Sequence, residues 1–150
     1  MLGHKSMRGH KSMLVYMFIG MFLIQYCVSS YIASNQREHV TNSLGKIYMC
    51  VIMGLFMVFI DILLSDKFNG QLFGLITGLI LVFIYLYRIQ FGIDDKNYLR
   101  EMIEHHSMAL LTSKQILEKT KNSAVNNFAT KILVNQEQEI ADMRYLLKSI

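Results

Sequence analysis

The sequence predicts an all-α membrane protein in which three transmembrane helices precede a soluble, antiparallel helical hairpin. Apolar residues make up 53% of the 150 residues, and they crowd into the first two thirds of the chain. Three apolar segments there approach the roughly 20 residues that a helix needs to cross a bilayer. After residue 93 the apolar residues recur at spacings of three and four, which is typical of helices with one buried face.

The predicted spans are separated by short polar loops and cover residues 14–33, 47–64 and 72–91. The first span has an alternative interpretation as a cleaved signal peptide, because a basic segment precedes it and small residues lie near its end. The expected division of the chain is a basic flank, a transmembrane region and a soluble domain, over residues 1–13, 14–91 and 92–150.

The basic residues predict the orientation in the membrane. Four Lys and Arg residues lie in the flank and the second loop, against two in the first loop, so the positive-inside rule puts the N-terminus in the cytoplasm. Three spans then place the hairpin outside, on the periplasmic or extracellular side of a plasma (bacterial inner) membrane. The net charge of +4 does not indicate a nucleic-acid partner, since no basic stripe is interleaved with aromatic residues.

Three other residues of the membrane region have two interpretations each. Asp61 is either an interfacial carboxylate or a functional group within the membrane. Cys27 and Cys50 are either two thiols within apolar segments or, if two helices align them, a disulfide.

The predicted hairpin has a capping residue at the start of each helix. Asp94 or Asp95 can cap the first helix, and Asn122 or Ser123 can cap the second. Two helices alone bury an apolar face poorly, whereas four make a stable bundle. The sequence therefore predicts a homodimer that forms a four-helix bundle, with docking on an unrelated partner as the alternative.

Polar residues fall on the apolar faces of both helices. At 100° per residue, His106 lies at the centre of the first face and Gln136 at the centre of the second, with Glu139 at its edge. An antiparallel turn brings His106 and Gln136 to one height. They form either a hydrogen-bonded core pair or part of a metal site.

The metal interpretation rests on a set of five residues that suits a soft metal ion and includes His106: Met102, His105, His106, Met108 and Met143. Imidazole suits copper and zinc, and thioethers favour Cu(I) and Ag(I). Sequence patterns of a nucleophilic triad or a phosphate-binding loop do not stand out, so we do not expect an enzyme. The spans carry too few polar residues to make a transporter convincing.

Two motifs carry a family resemblance. Residues 102–109 read MIEHHSMA, and residues 136–143 read QEQEIADM. At this separation they resemble the domain of unknown function 305 family, whose members show Met-Ile-x-His-His-x-x-Ala and then Gln-x-x-Glu-Ile-x-x-Met. The resemblance covers about residues 94–148. It implies a ferritin-like helical bundle and a copper-binding protein linked to copper and silver tolerance.

Carried over by position, the resemblance implies four ligands, Met102, His105, His106 and Met143. Gln136 and Glu139 match motif positions and would orient the histidines. The sequence departs from the family at Glu104, where proline is common, and at Tyr145, where tryptophan is common. The membrane anchor is a further departure, because many members are soluble and exported.

The expected function is therefore membrane-anchored binding of copper, as Cu(I) rather than Cu(II), or of silver, for sequestration, tolerance or chaperoning. The lipid bilayer, a second copy and copper-handling proteins are the expected partners. The alternative is a structural or dimerisation module without metal. The N-terminal GHKSM repeat is either a basic flank or a second soft-donor set, through His4, Met7, His10 and Met13.

Overall fold

The computed structural model describes the backbone of residues 2–66 and 68–150, and the side chains of residues 12–66 and 68–150. The described chain is all-α, with five long helices, as the sequence predicts. Of the GHKSM repeat, the side chains of Ser12 and Met13 are described, and Met13 is exposed; those of His4, Met7 and His10 lie outside the described residues.

The helices follow one another through short loops. Helix α1 begins as an α-helix over Leu2–Leu23, continues through a π-helical stretch over Ile24–Ser29 and ends with a turn over Ser30–Ala33. The other four are α2 (Leu44–Leu64), α3 (Gly70–Arg88), α4 (Asp95–Leu117) and α5 (Ser123–Ser149).

Three helices are long and apolar enough to cross a membrane: Ser12–Ala33 of α1, then α2 and α3. The 21 residues of α2 extend about 31 Å, which matches a hydrocarbon core of about 30 Å. The three predicted spans are thus confirmed as candidates, with ends that differ by up to three residues.

Two ends differ by three residues: α2 begins at Leu44 rather than residue 47, and α3 stops at Arg88 rather than continuing to residue 91. Gln90 adopts the left-handed conformation, with φ at 55°. The N–H of Phe91 donates to the Leu86 carbonyl, and the N–H of Gln90 donates to the Tyr87 carbonyl. This is the Schellman motif that ends helices. Glutamine in place of the usual glycine hides it in the sequence.

The first compact unit contains α1 up to residue 28 and residues 46–91. Buried aliphatic side chains of all three helices form its core: Leu14, Leu55, Val58, Ile62, Ile76 and Ile80. Gly54 of α2 permits a close approach, since a Cβ there would meet the Phe18 ring of α1 at 2.8 Å. Cys27 is exposed and Cys50 is buried, and the two are not joined in a disulfide.

The second compact unit contains residues 29–45 and 92–150. Helices α4 and α5 pack antiparallel around Leu99, Ile103, Leu110, Ile140 and Met143. The predicted caps are confirmed at two of their candidate residues. The Asp94 carboxylate accepts from the Asn97 N–H, and the Asn122 side chain accepts from the N–H groups of Ala124 and Val125.

The segment between the first two spans, residues 34–43, packs on α4; we call it the inter-span loop. The sequence predicts that this loop belongs to the membrane region, because it lies between two spans. The structure groups it with the hairpin instead. The Ser107 hydroxyl, which is fully buried, accepts from the Asn35 N–H at 2.9 Å and lies 2.9 Å from His39 Nδ1. The Thr41 hydroxyl donates to the Arg100 carbonyl at 2.6 Å. Helix α4 is therefore covered on two sides.

We expect the stability of the second unit to fall as the pH drops below about 6.5. Burial lowers the pKa of His39 below its ordinary value of 6.5, and the positive charge of Arg144 lowers it further. The unfolded chain then takes up a proton at a pH where the folded protein does not, so stability is full above pH 6.5 and decreases down to the folded-state pKa.

Chemical unfolding of the full chain at a series of pH values measures this effect. His39→Gln, which keeps a hydrogen-bonding amide but does not titrate, should flatten the acid limb. The matched control is His105→Gln, which removes an exposed histidine of α4 and should leave that limb in place. An undiminished pH dependence in His39→Gln would contradict the assignment.

Candidate metal site

His106 lies at the rim of the contact between α4 and α5. Its neighbour Ser107 occupies the fully buried position, because the inter-span loop packs on that side of α4. The His106 side chain is 22% exposed. The structure thus moves His106 from the predicted centre of the core to its edge, where a solute can reach it.

Both ring nitrogens of His106 have a defined neighbour. Nδ1 lies 2.8 Å from the Met102 carbonyl oxygen one turn earlier, and Nε2 lies 2.8 Å from Glu139 Oε2 on α5. A carbonyl oxygen can only accept, so Nδ1 carries a proton and donates it. A neutral ring then directs the Nε2 lone pair at a carboxylate oxygen. The two repel unless a cation, either a proton or a metal ion, lies between them.

Gln136 contacts the same carboxylate rather than the histidine. Its Nε2 donates to Glu139 Oε2 at 3.3 Å, which makes a chain from Gln136 through Glu139 to His106. The sequence analysis paired His106 directly with Gln136. The difference arises because His106 lies at the rim, where Glu139 at the edge of the α5 face reaches it.

The two methionines of the predicted ligand set lie in the core of the hairpin. Met143 is buried, and Met102 is half-buried against the same cluster. The Met102 backbone also orients the His106 ring, a role that the sequence pattern does not reveal. Every histidine inside a helix has a backbone carbonyl four residues earlier, so no feature of the sequence distinguishes this contact.

His105 and Met108 point away from this group. The His105 side chain is 54% exposed, and its Nε2 lies 3.7 Å from Glu101 Oε1. The Glu101 carboxylate raises the pKa of His105, against the opposing effect of burial. Met108 is exposed. The structure therefore brings His106, Gln136 and Glu139 together, with Met102 and Met143 in the adjoining core, and separates His105 and Met108 from them.

The number of donors at His106 limits what the pair can hold alone. Within residues 12–66 and 68–150, no three His, Cys, Asp or Glu side chains group closely enough to hold a metal ion. His106 and Glu139 contribute one donor side chain each, so a bound metal needs thioethers, Gln136 or a second copy of the chain. The predicted seven-residue ligand set stays a prediction.

Comparisons with known proteins agree with the motifs. The family model described as "Domain of unknown function (DUF305)" matches residues 88–149. "Uncharacterized protein L153" of Acanthamoeba polyphaga mimivirus is 34% identical over 142 residues, which is 92% of this chain and 93% of the relative. That similarity extends through the membrane region as well as the hairpin. No solved structure matches the chain.

We expect Glu101→Gln to lower the pKa of His105 towards its ordinary value of 6.5, because the carboxylate that raises it is removed. An NMR pH titration of the imidazole C–H signals measures the shift. Glu104→Gln is the matched control and should give a smaller decrease, since its carboxylate contributes less to the shift. A His105 pKa that is unchanged in Glu101→Gln would contradict the contact.

Proposed function

The chain belongs to the DUF305 family, and on this premise we propose that it is a membrane-anchored copper-binding protein. It captures copper at the hairpin and holds it for sequestration, tolerance or delivery to other copper-handling proteins. Copper is cargo here, taken up and released without a chemical reaction. Cu(I) is the preferred state, ahead of Cu(II), and Ag(I) is the expected mimic.

The arrangement of His106 is the observation that carries this proposal. Metal-binding histidines commonly donate one ring N–H to a carbonyl or carboxylate, which fixes the ring and leaves the other nitrogen for the metal. The hydrogen bond from Nδ1 to the Met102 carbonyl does this for His106. Glu139 then supplies an anionic donor, which Gln136 holds through its own hydrogen bond.

The preference for Cu(I) and Ag(I) rests on the two thioethers of the adjoining core. Thioether sulfur binds soft ions well and hard ions poorly, and Met102 and Met143 lie in one apolar cluster of the hairpin. Methionine is flexible and unbranched, so either side chain can turn towards a bound ion without repacking the helix.

A second copy of the chain is the proposed partner, and it would complete a ferritin-like four-helix bundle. Phe128 and Leu146 are 67% and 46% exposed, and both lie within about 20° of Glu139 around α5. A symmetric dimer across this face would cover them. It would also bring a second His106 and Glu139 to the same centre, raising two donor side chains to four.

The proposed location of the hairpin is the extracytoplasmic side of the membrane. The support is the excess of Lys and Arg in the N-terminal flank and second loop together with three candidate spans. A soft-metal site there would meet copper before it enters the cytoplasm.

His106→Ala should weaken Cu(I) binding by at least the roughly 10–100-fold that loss of an outer-shell partner costs, because it removes a ligand. His105→Ala is the matched control on the neighbouring residue and should change the affinity far less. Competition against a Cu(I) chelator, with the full chain in detergent micelles, measures both. The full chain is required because the inter-span loop packs on the hairpin.

Two outcomes would contradict the site. An unchanged affinity in His106→Ala would show that His106 is not a ligand, and an equal loss in His105→Ala would show that both histidines contribute equally to the site. Zn(II) should bind more weakly than Cu(I) or Ag(I), and Met102→Leu with Met143→Leu should remove that preference.

Phe128→Lys should dissociate the dimer, since it places a charge within the apolar contact. Tyr145→Lys is the matched control, because Tyr145 is 74% exposed but lies about 120° away from Glu139 around α5. Light scattering of the detergent-solubilised chain gives the oligomeric state. A monomeric wild-type chain, or equal dissociation by both variants, would contradict this interface.

A structural module without metal is the alternative, and the small number of clustered donors favours it. The proton would then be the cation between His106 and Glu139, and the pair would fix the register of the helices. If the chain is such a structural module, copper should bind with micromolar or weaker affinity, and His106→Ala should lose the dimer.

A further inference from the structure

We propose that a pocket in the second compact unit binds the phosphodiester group of an anionic phospholipid. The pocket has a volume of about 400 Å³ and is lined by the inter-span loop and both helices of the hairpin. Arg100 of α4 and Arg144 of α5 both line it, whereas His106 and Glu139 do not. We call it the arginine pocket.

The charges of the arginine pocket match those of one phosphodiester. Arg144 Nη2 lies 3.1 Å from Glu38 Oε2, and both side chains are substantially exposed, so this ion pair is weak and exchanges readily. Among the described residues, no carboxylate forms an ion pair with the Arg100 guanidinium. Among the lining residues, two guanidinium groups and one carboxylate leave one positive charge for a phosphodiester to neutralise. The Glu104 carboxylate accepts from the Thr41 N–H, and Asp94 attracts Arg100 from outside the lining.

The shape of the donors also suits phosphate. A guanidinium presents parallel N–H groups that bind two phosphate oxygens at once. Thr41 and Asn42 add polar groups from the loop. The loop is held in place there, because the Thr41 hydroxyl donates to the Arg100 carbonyl and the Thr41 N–H donates to Glu104.

The remaining lining is apolar, which favours a lipid over a bare ion. Ile103 and Leu147 line the same cavity as the two arginines. Ile103 is itself buried, but Leu147 is only half-buried; a free phosphate would leave Leu147 facing water, whereas the glycerol ester region of a phospholipid would cover it. The pocket therefore offers a charged part and an apolar part, as an amphiphile requires.

The chain also puts the arginine pocket within reach of lipid headgroups. Asn42 precedes the first residue of α2, a candidate span, by two residues. Two residues extend at most about 7 Å, and the headgroup region is about 5–8 Å thick on each side of the bilayer. A headgroup at the end of α2 is thus the nearest abundant phosphate.

Native mass spectrometry of the full chain, released from nanodiscs that mix phosphatidylglycerol with phosphatidylcholine, tests this site. The wild-type chain should retain phosphatidylglycerol, and Arg100→Gln should weaken that binding about tenfold, as expected for the loss of charged hydrogen bonds. Arg37→Gln is the matched control, since Arg37 is exposed in the same loop and does not line the pocket; it should change binding less than twofold. Arg100→Lys should recover part of the binding, because it keeps the charge without the planar fork.

Three results would overturn the proposal. Equal losses in Arg37→Gln and Arg100→Gln would indicate diffuse attraction to the membrane rather than a site. Equal retention of phosphatidylcholine and phosphatidylglycerol would show that the net charge of the lipid does not determine binding. Inorganic phosphate that competes fully at the same concentration would assign the pocket to a free anion.

Unfolding temperatures in pure phosphatidylcholine should be equal for all variants, which excludes misfolding as the cause.

Discussion

The packing of the inter-span loop on α4, centred on the buried hydroxyl of Ser107, is the constraint on which the second unit depends. A two-helix hairpin buries little apolar surface by itself. Here the loop covers a second side of α4 through the Asn35 N–H, the His39 ring and Thr41. Because Ser107 takes the buried position, His106 is turned to the rim and the open face of the hairpin is the one that carries Glu139.

The position of His106 links this packing to metal chemistry. A histidine in the centre of the core would need a neutral partner and would be closed to solutes. At the rim, Nδ1 is fixed by a backbone carbonyl and Nε2 faces a carboxylate, so the site needs a cation while remaining accessible. Imidazole and carboxylate accommodate Cu(II) as well as zinc, so the proposed preference for Cu(I) depends on the thioethers of Met102 and Met143.

The sequence predicts most of the architecture and part of the site. Hydropathy and capping residues identified the three candidate spans and the start of both hairpin helices, since these depend on local composition. The end of α3 at Arg88 was missed because Gln90 adopts a conformation that its side chain does not favour. The contact of His106 with Glu139, in place of the predicted contact with Gln136, also does not follow from the sequence pattern. Helical periodicity treats α4 as having one covered face, and the contact of a loop 72 residues away in the chain cannot be read from that pattern.

We propose that His106 is a copper ligand, with sulfur donors from the core of the hairpin. X-ray absorption at the copper edge, on the Cu(I)-loaded full chain, tests it most directly because it reports the ligand atoms themselves. We expect imidazole and sulfur scattering together in the wild-type spectrum, with the imidazole contribution lost in His106→Ala. A wild-type spectrum without imidazole scattering, or one that His106→Ala leaves unchanged, would contradict it.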